Sequence, residues 1–210
     1  MKRYAQRCAV ARALDVIGER WTPLIVRELL LGPRRYTDLQ QALPGVGTNI
    51  LAGRLSDLQE HGVIVKRALP PPTPVAVYEL TKAGEALAPI IGELRAWGER
   101  FAPPPRAGDA VRPAWILQSA ARREPSLKAD RVAELRVGDE VFELAGGDGA
   151  VAVKARAPSA PDAVLAIDPR VFMRLAGGRI DPARAREQVR VEGDDQVASD
   201  VLEMLAGSVA

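Results

Sequence analysis

Thr37-Asp38-Leu39-Gln40-Gln41-Ala42-Leu43-Pro44-Gly45-Val46-Gly47-Thr48-Asn49-Ile50-Leu51-Ala52-Gly53-Arg54-Leu55-Ser56-Asp57-Leu58-Gln59-Glu60-His61-Gly62 holds two helical patterns with a stop between them. Thr37 followed three residues later by Gln40 reads as a capping box that opens a short helix with Leu39 and Leu43 inward. Pro44-Gly45 ends it, because proline cannot continue a helical hydrogen-bond ladder and glycine takes the left-handed turn. A longer helix then runs from about Thr48 to His61, with Ile50, Leu51, Leu55 and Leu58 on one face and Gly62 as its left-handed cap.

The flanks extend the pattern. Upstream, Val10, Leu14 and Ile17 carry helical spacing, and Thr22-Pro23 reads as an N-cap followed by a first-turn proline, with Leu24, Ile25 and Leu29 inward until Gly32-Pro33. Downstream, Val63 to Arg67 and Val75 to Leu80 are β-rich stretches joined by a loop containing Pro70-Pro71-Pro72, which together predict a hairpin. Thr81 then caps one helix whose Leu87, Ile90, Ile91, Leu94, Trp97 and Phe101 form an apolar stripe in need of a partner. Short helix, tight turn, longer helix and basic hairpin is the order of a mainly α winged helix-turn-helix domain. There the second helix of the pair enters the major groove of double-stranded DNA and the hairpin lies along the backbone.

At 210 residues the chain is long enough for two domains of about 100 residues each. The cut falls at Pro103-Pro104-Pro105, giving a DNA-binding and dimerisation domain at 1–101, a proline-rich linker at 102–112 and a second domain at 113–210. Charge divides with it: residues 1–101 carry +4 and residues 102–210 carry −2. No apolar run approaches the ~20 residues of a membrane span, and no signal core follows Met1-Lys2-Arg3-Tyr4, so a cytoplasmic protein is expected. One Cys and one His exclude an internal disulfide and a Cys/His zinc cage, so no metal site is expected.

With the leucine face of the second helix inward, Thr48, Asn49, Ala52 and Ser56 lie on the remaining surface, and Arg54 reaches out from its flank. Asn pairs with adenine and Arg with guanine in the major groove, whereas Arg34, Arg35, Lys66 and Arg67 are placed to neutralise phosphates. Any one of these arginines alone would read as a solvated or paired charge; the motif order turns the reading toward DNA, with Arg54 ranked above Arg34. His61, ahead of Gly62 at a helix end, reads as a structural partner of the helix dipole.

The segment Cys8-Ala9-Val10-Ala11-Arg12-Ala13-Leu14-Asp15-Val16-Ile17-Gly18-Glu19-Arg20-Trp21-Thr22 closely resembles the opening of the HxlR-type bacterial transcriptional regulators. Gly32-Pro33-Arg34-Arg35-Tyr36, Leu43-Pro44-Gly45, Arg54-Leu55, His61-Gly62 and Tyr78-Glu79-Leu80-Thr81-Lys82-Ala83-Gly84 extend the resemblance over about residues 4–101. It implies a homodimer, built from the first and last helices, that binds an inverted-repeat operator. Two departures stand out: Gly47 replaces the usual Ser or Thr cap of the recognition helix, and Gly53 sits inside that helix at a cost of about 1 kcal/mol relative to Ala. The resemblance also implies an oxidant or electrophile switch at Cys8, with Lys2, Arg3 and Arg7 nearby to favour the thiolate. The residue itself reads first as a small hydrophobe buried in the dimer interface.

The second half predicts the order α-β-β-β-β-α-α-β-α. A helix runs from Pro113 to Arg123, strands Ala133–Val137 and Val141–Leu144 flank the turn Gly138-Asp139-Glu140, and further strands cover Val151–Arg156 and Ala163–Ile167. Asp168-Pro169 and Asp181-Pro182 open short helices, Val189–Val191 is a strand, and Asp194 or Asp195 caps a last helix. Gly146-Gly147-Asp148-Gly149 reads as a hairpin turn; it lacks the Lys-Ser/Thr of a phosphate loop. This α+β order resembles the sterol-carrier-protein-like fold, most closely at Leu135-Arg136-Val137-Gly138-Asp139-Glu140-Val141-Phe142 and Gly178-Arg179-Ile180-Asp181-Pro182-Ala183. That resemblance implies an apolar tunnel for a lipid-like small molecule. Candidates to line it are Trp115, Leu117, Phe142, Leu144, Leu165, Phe172, Met173 and Leu175, each equally at home in a packed core.

The leading expectation is therefore a dimeric DNA-binding regulator whose second domain senses an apolar small molecule. The alternative keeps the DNA binding and makes the second domain a structural or protein-interaction module. An enzyme is not expected: there is no Gly-x-Ser-x-Gly elbow, and the second half contains no His. No cofactor is implied.

Overall fold

A computed structural model describes residues 3–69, 75–106, 108–123, 127–147 and 149–208. Lys2, the Pro70-Pro71-Pro72 cluster and Asp148 lie outside the described residues. The chain divides into two units, Met1–Arg106 and Ala107–Ala210.

The first unit contains α1 (Ala9–Ile17), α2 (Thr22–Leu30), α3 (Tyr36–Ala42), α4 (Thr48–Glu60), β1 (Ile64–Ala68), β2 (Ala76–Leu80), α5 (Lys82–Glu85) and α6 (Ala88–Phe101). Its core joins Ile25, Val26 and Leu29 of α2 to Leu39 and Leu43, to Leu51, Leu55 and Leu58 of α4, and to Val63, Ile64, Tyr78 and Leu80 of the hairpin. Each fully buried leucine contributes about 1.5–3 kcal/mol through removal of its apolar surface from water. β1 and β2 pair antiparallel with Lys66 opposite Tyr78, and Arg34 adds a bridge to Tyr78 on the outer edge.

Four local expectations are corrected. Thr22 is the first residue of α2 and not its cap, because the chain is already in helical conformation at Trp21 (φ −91°, ψ −17°); Pro23, inside the first turn, needs no donor. The box that opens α3 uses Asp38, not Thr37 and Gln40: the Asp38 carboxylate accepts the Arg35 backbone N–H at 3.1 Å, and Thr37 lies inside the helix. The helix expected from Thr81 to Phe101 is broken into α5 and α6, since Pro89 has no N–H to donate to the Glu85 carbonyl. Ile50, expected inward with the leucines, is 50% exposed. At 100° per residue it lies a quarter-turn from Leu51, beyond the arc that Leu51, Leu55 and Leu58 share.

Gly84 explains the close junction of α5 with the hairpin. A Cβ there would sit 2.2 Å from the Val63 carbonyl oxygen, so only hydrogen fits.

The second unit contains α7 (Pro113–Arg123), β3 (Val132–Val137), β4 (Glu140–Gly147), β5 (Ala150–Lys154), β6 (Ala163–Ile167), α8 (Pro169–Ala176), α9 (Pro182–Arg186), β7 (Arg190–Gly193) and α10 (Asp195–Leu205). This is the expected α-β-β-β-β-α-α-β-α succession. The sheet order is β5-β4-β3-β6-β7, with β3 and β6 parallel and every other pair antiparallel. Asp168, Asp181 and Asp194 each accept a backbone N–H in the first turn of α8, α9 and α10, as the Asp-Pro pairs and the acidic cap predicted. β5 stops at Lys154, where the sequence suggested Arg156; its ladder with β4 ends at the Glu143–Lys154 pair, and the Arg156 guanidinium bonds the Glu143 carboxylate. β7 begins one residue later than expected, at Arg190, and continues to Gly193.

One face of the sheet carries Ala133, Leu135, Val137, Phe142, Leu144, Leu165 and Ile167, all buried, with α10 packed on β3 and β6 and α7 packed on β5. The alternate residues carry the ion pairs Arg136 to Glu134 and Arg156 to Glu143. Asp162 ties the strand ends together: its carboxylate accepts the Val132 N–H at 2.8 Å and the Arg131 guanidinium at 2.9 Å. Those hydrogen bonds, from the Val132 amide first and then from Arg131, hold its pKa below the ordinary carboxylate range.

Candidate nucleic-acid interface

The recognition pair is α3 and α4. Gly47 offers α4 an extended residue (φ −71°, ψ 145°) but no side-chain cap. The Tyr36 hydroxyl donates to the Thr48 carbonyl across 2.9 Å and ties the start of α3 to the first turn of α4. At the other end Gly62 takes φ +67°, and His61 Nδ1 lies 2.7 Å from the Asp57 carbonyl. A carbonyl only accepts, so Nδ1 carries the hydrogen and the histidine serves the helix end.

With Leu51, Leu55 and Leu58 buried, α4 presents Thr48, Asn49, Ile50, Ala52, Gly53 and Ser56 to solvent. Three of the expected base readers, Thr48, Asn49 and Ser56, are thus on the open surface. Arg54 is half-buried on the flank, with its guanidinium 3.0 Å from the Asp57 carboxylate and 3.6 Å from that of Glu19. It reaches a base only by leaving those partners.

The phosphate candidates form two groups. Arg34 exchanges backbone hydrogen bonds with Tyr78 at 2.9 and 2.7 Å, and the Lys66 ammonium stands 5.6 Å from the centre of the Tyr78 ring. Tyr78 therefore gathers Arg34 and Lys66 at the base of the hairpin, where the ring face favours the cation. Arg67 is exposed and hydrogen-bonds Glu79 on the facing strand. Arg35 stands apart at the start of α3, forked onto Asp38. Partial burial pushes the Asp38 carboxyl up, but the hydrogen bonds from the Arg35 side chain and backbone, with the charges of Arg35 and Arg34, outweigh it and hold the group below its usual range.

Cys8 is a free, exposed thiol at the residue that precedes α1. The backbone amides of Ala11 and then Val10 hold it below the ordinary thiol range. The helix start, and not the expected Arg3 and Arg7, is what favours the thiolate.

Residues 16–106 match the family model described as HxlR-like helix-turn-helix. The HTH-type transcriptional regulator YvaP of Bacillus subtilis is 43% identical over 94 residues, which is 44% of this chain and 86% of the relative. YodB of the same organism, also an HTH-type transcriptional regulator, is 32% identical over 99 residues, 47% of this chain and 86% of the relative. The chain belongs to the HxlR-like helix-turn-helix family. Among solved structures, the candidate transcription factor PA1607 is 39% identical and covers 53% of this chain and 75% of its own, with a TM-score of 0.46.

The HxlR-like match ends at residue 106, so the second unit lies outside it. There Leu117, Phe142, Leu144, Leu165, Phe172 and Leu175 have no accessible surface, Trp115 is half-buried and Met173 is 37% exposed. A side chain without accessible surface faces neither solvent nor a void that holds water, so those six are packed core in this structure. Among the described residues, no group of three or more His, Cys, Asp or Glu is placed to hold a metal, and no helix is long and apolar enough to cross a membrane.

Two contributors escaped the sequence reading. Tyr36 carries no signal in the sequence that it will brace α4. Ile50 could have been found, since a helical wheel places it off the leucine arc.

Proposed function

We propose that this HxlR-like chain is a DNA-binding transcriptional regulator that acts as a homodimer, with α4 in the major groove and the β1–β2 hairpin along the phosphate backbone. The observation that carries the reading is the division of α4: three buried leucines on one side and a small, polar face on the other, followed directly by a hairpin with Lys66 and Arg67 exposed. Small residues let the helix backbone approach base edges, and Asn49 supplies a bidentate adenine reader. Arg34, Arg35, Lys66 and Arg67 act as phosphate contacts, which set register without reading sequence.

Homodimerisation is supported by the apolar side chains left in water. Val10 and Leu14 of α1 and Ile90, Leu94, Trp97 and Phe101 of α6 are all at least 42% exposed. An exposed patch of that kind marks an interface, and a two-fold pair of recognition helices matches an inverted-repeat operator.

For the second unit, the reading as a structural or protein-interaction module is favoured over the apolar-ligand sensor, because six of the eight proposed lining residues are packed core. The helix and strand order together with the mixed sheet supports a sterol-carrier-protein-like fold. The switch at Cys8 rests on its exposure and on the backbone amides at the start of α1 that favour the thiolate.

The test is enrichment of duplexes from a random pool by the full-length protein, followed by native mass spectrometry of the complex. An enriched inverted repeat bound by two chains supports the reading; no enriched duplex, or one bound by a single chain, overturns it. A lipid-sized adduct released on denaturation would restore the sensor.

A further inference from the structure

The exposed face of α4 carries one bulky apolar side chain, Ile50, among Thr48, Asn49, Ala52, Gly53 and Ser56. It sits in the first turn, the part of a recognition helix that contacts base edges. Its Cδ1 lies 3.8 Å from where a Cβ on Gly47 would stand, so the side chain leans over the open N-terminus of the helix, where no capping side chain intervenes. One turn further on, a Cβ on Gly53 would meet nothing within 4 Å. The surface beside Ile50 is thus backbone and open space.

The neighbouring cation is otherwise engaged. Arg54 is held by Asp57 and Glu19, which leaves Asn49 and Ile50 as the side chains of the first turn with the reach to meet a base. The major groove offers one apolar group, the C5-methyl of thymine. We infer that Ile50 is a specificity-determining residue that packs on a thymine methyl, beside the adenine that Asn49 reads. The helix glycine at 53, costly to α4 on its own, then has a purpose: it keeps the helix backbone close enough for a short branched side chain to touch the base.

This inference rests on the DNA-binding reading, and the experiment separates the two. Full-length protein is measured by fluorescence anisotropy on the duplex it enriches from a random pool, and thymines are replaced one at a time by uracil, which lacks only the methyl. The wild type is expected to lose about fourfold in affinity at one position of each half-site, the worth of one buried methyl group. The Ile50→Ala protein, checked for an unchanged thermal melt, is expected to bind thymine and uracil duplexes equally. Ile50→Val, a smaller truncation of an exposed side chain, is expected to melt with the wild type and to keep part of the difference. A uracil penalty that persists in Ile50→Ala and in Ile50→Val at full size overturns the inference, as does the absence of any uracil-sensitive position. Failure to enrich any duplex overturns the DNA-binding reading itself, and this inference with it.

Discussion

The Tyr36 hydroxyl donates to the Thr48 carbonyl across 2.9 Å and so joins the start of α3 to the first turn of α4, whose cap position, Gly47, has no side chain. Tyr36→Phe keeps the ring against the core and removes only that bond. The stability of the first unit is expected to fall by about 0.5–1.5 kcal/mol, the net value of a neutral hydrogen bond, and operator affinity to fall to the extent that the first turn of α4 then frays. Anisotropy titration and a thermal melt measured side by side check it; an unchanged affinity would mean that α4 holds its first turn unaided.

Lys66 stands against Tyr78 on the hairpin and is expected to touch phosphate alone. Lys66→Ala should lower the slope of log affinity against log salt by about 0.9 for each phosphate it no longer neutralises, and leave base preference as it was. Titrations at several salt concentrations, on the enriched and on a scrambled duplex, read both quantities.

Arg54→Ala distinguishes two roles. If the guanidinium leaves Asp57 and Glu19 to read guanine, affinity falls by about 1–3 kcal/mol on the enriched duplex only. Given the pairing observed, the expected result is a smaller loss shared by both duplexes, together with a slightly lower melting temperature from the broken ion pair.

The Cys8 thiol should titrate below an ordinary thiol. A depressed pKa means that the folded state gains over the unfolded one once pH exceeds the folded value, and that this gain is complete above the unfolded value and lost as pH falls through the folded one. The alkylation rate with iodoacetamide, followed against pH, is therefore expected to rise at lower pH in the native protein than in urea. Hypochlorite treatment that weakens DNA binding in the wild type and leaves Cys8→Ser unaffected would make the thiol a switch; equal binding would leave it a reactive bystander.

Gly84→Ala places a methyl group 2.2 Å from the Val63 carbonyl. Backbone must shift, and a loss of about 1–3 kcal/mol in the stability of the first unit is expected from denaturant unfolding followed by tryptophan fluorescence.

What could be read beforehand followed rules that act within a few residues. Pro44-Gly45, Gly62 and the Asp-Pro pairs at 168 and 181 marked element ends because φ restriction and capping are local chemistry. The break at Ala86-Leu87 was equally local, but the apolar stripe from Leu87 to Phe101 concealed the effect of Pro89. The Arg35–Asp38 fork was not legible, because Thr37 and Gln40 offered the standard cap pattern two residues too late. Contacts between elements left no trace in spacing: Tyr36 on Thr48, Arg54 on Glu19 and Lys66 on Tyr78 depend on the crossing of segments that only packing brings together. Composition named the candidate cations but could not say which were already paired.

The parallel pair β3–β6 sets Ala133 beside Ala163, thirty positions along the chain, and every strand of that sheet lies after residue 131, beyond the whole of the first unit. Non-local closure is slow, and domains fold as units from the N-terminus while synthesis proceeds at about 5–20 residues per second. The DNA-reading half can therefore mature on the ribosome before the strands that complete the second sheet have been made. Errors in that sheet would reach the cell as exposed strand edges and lost yield.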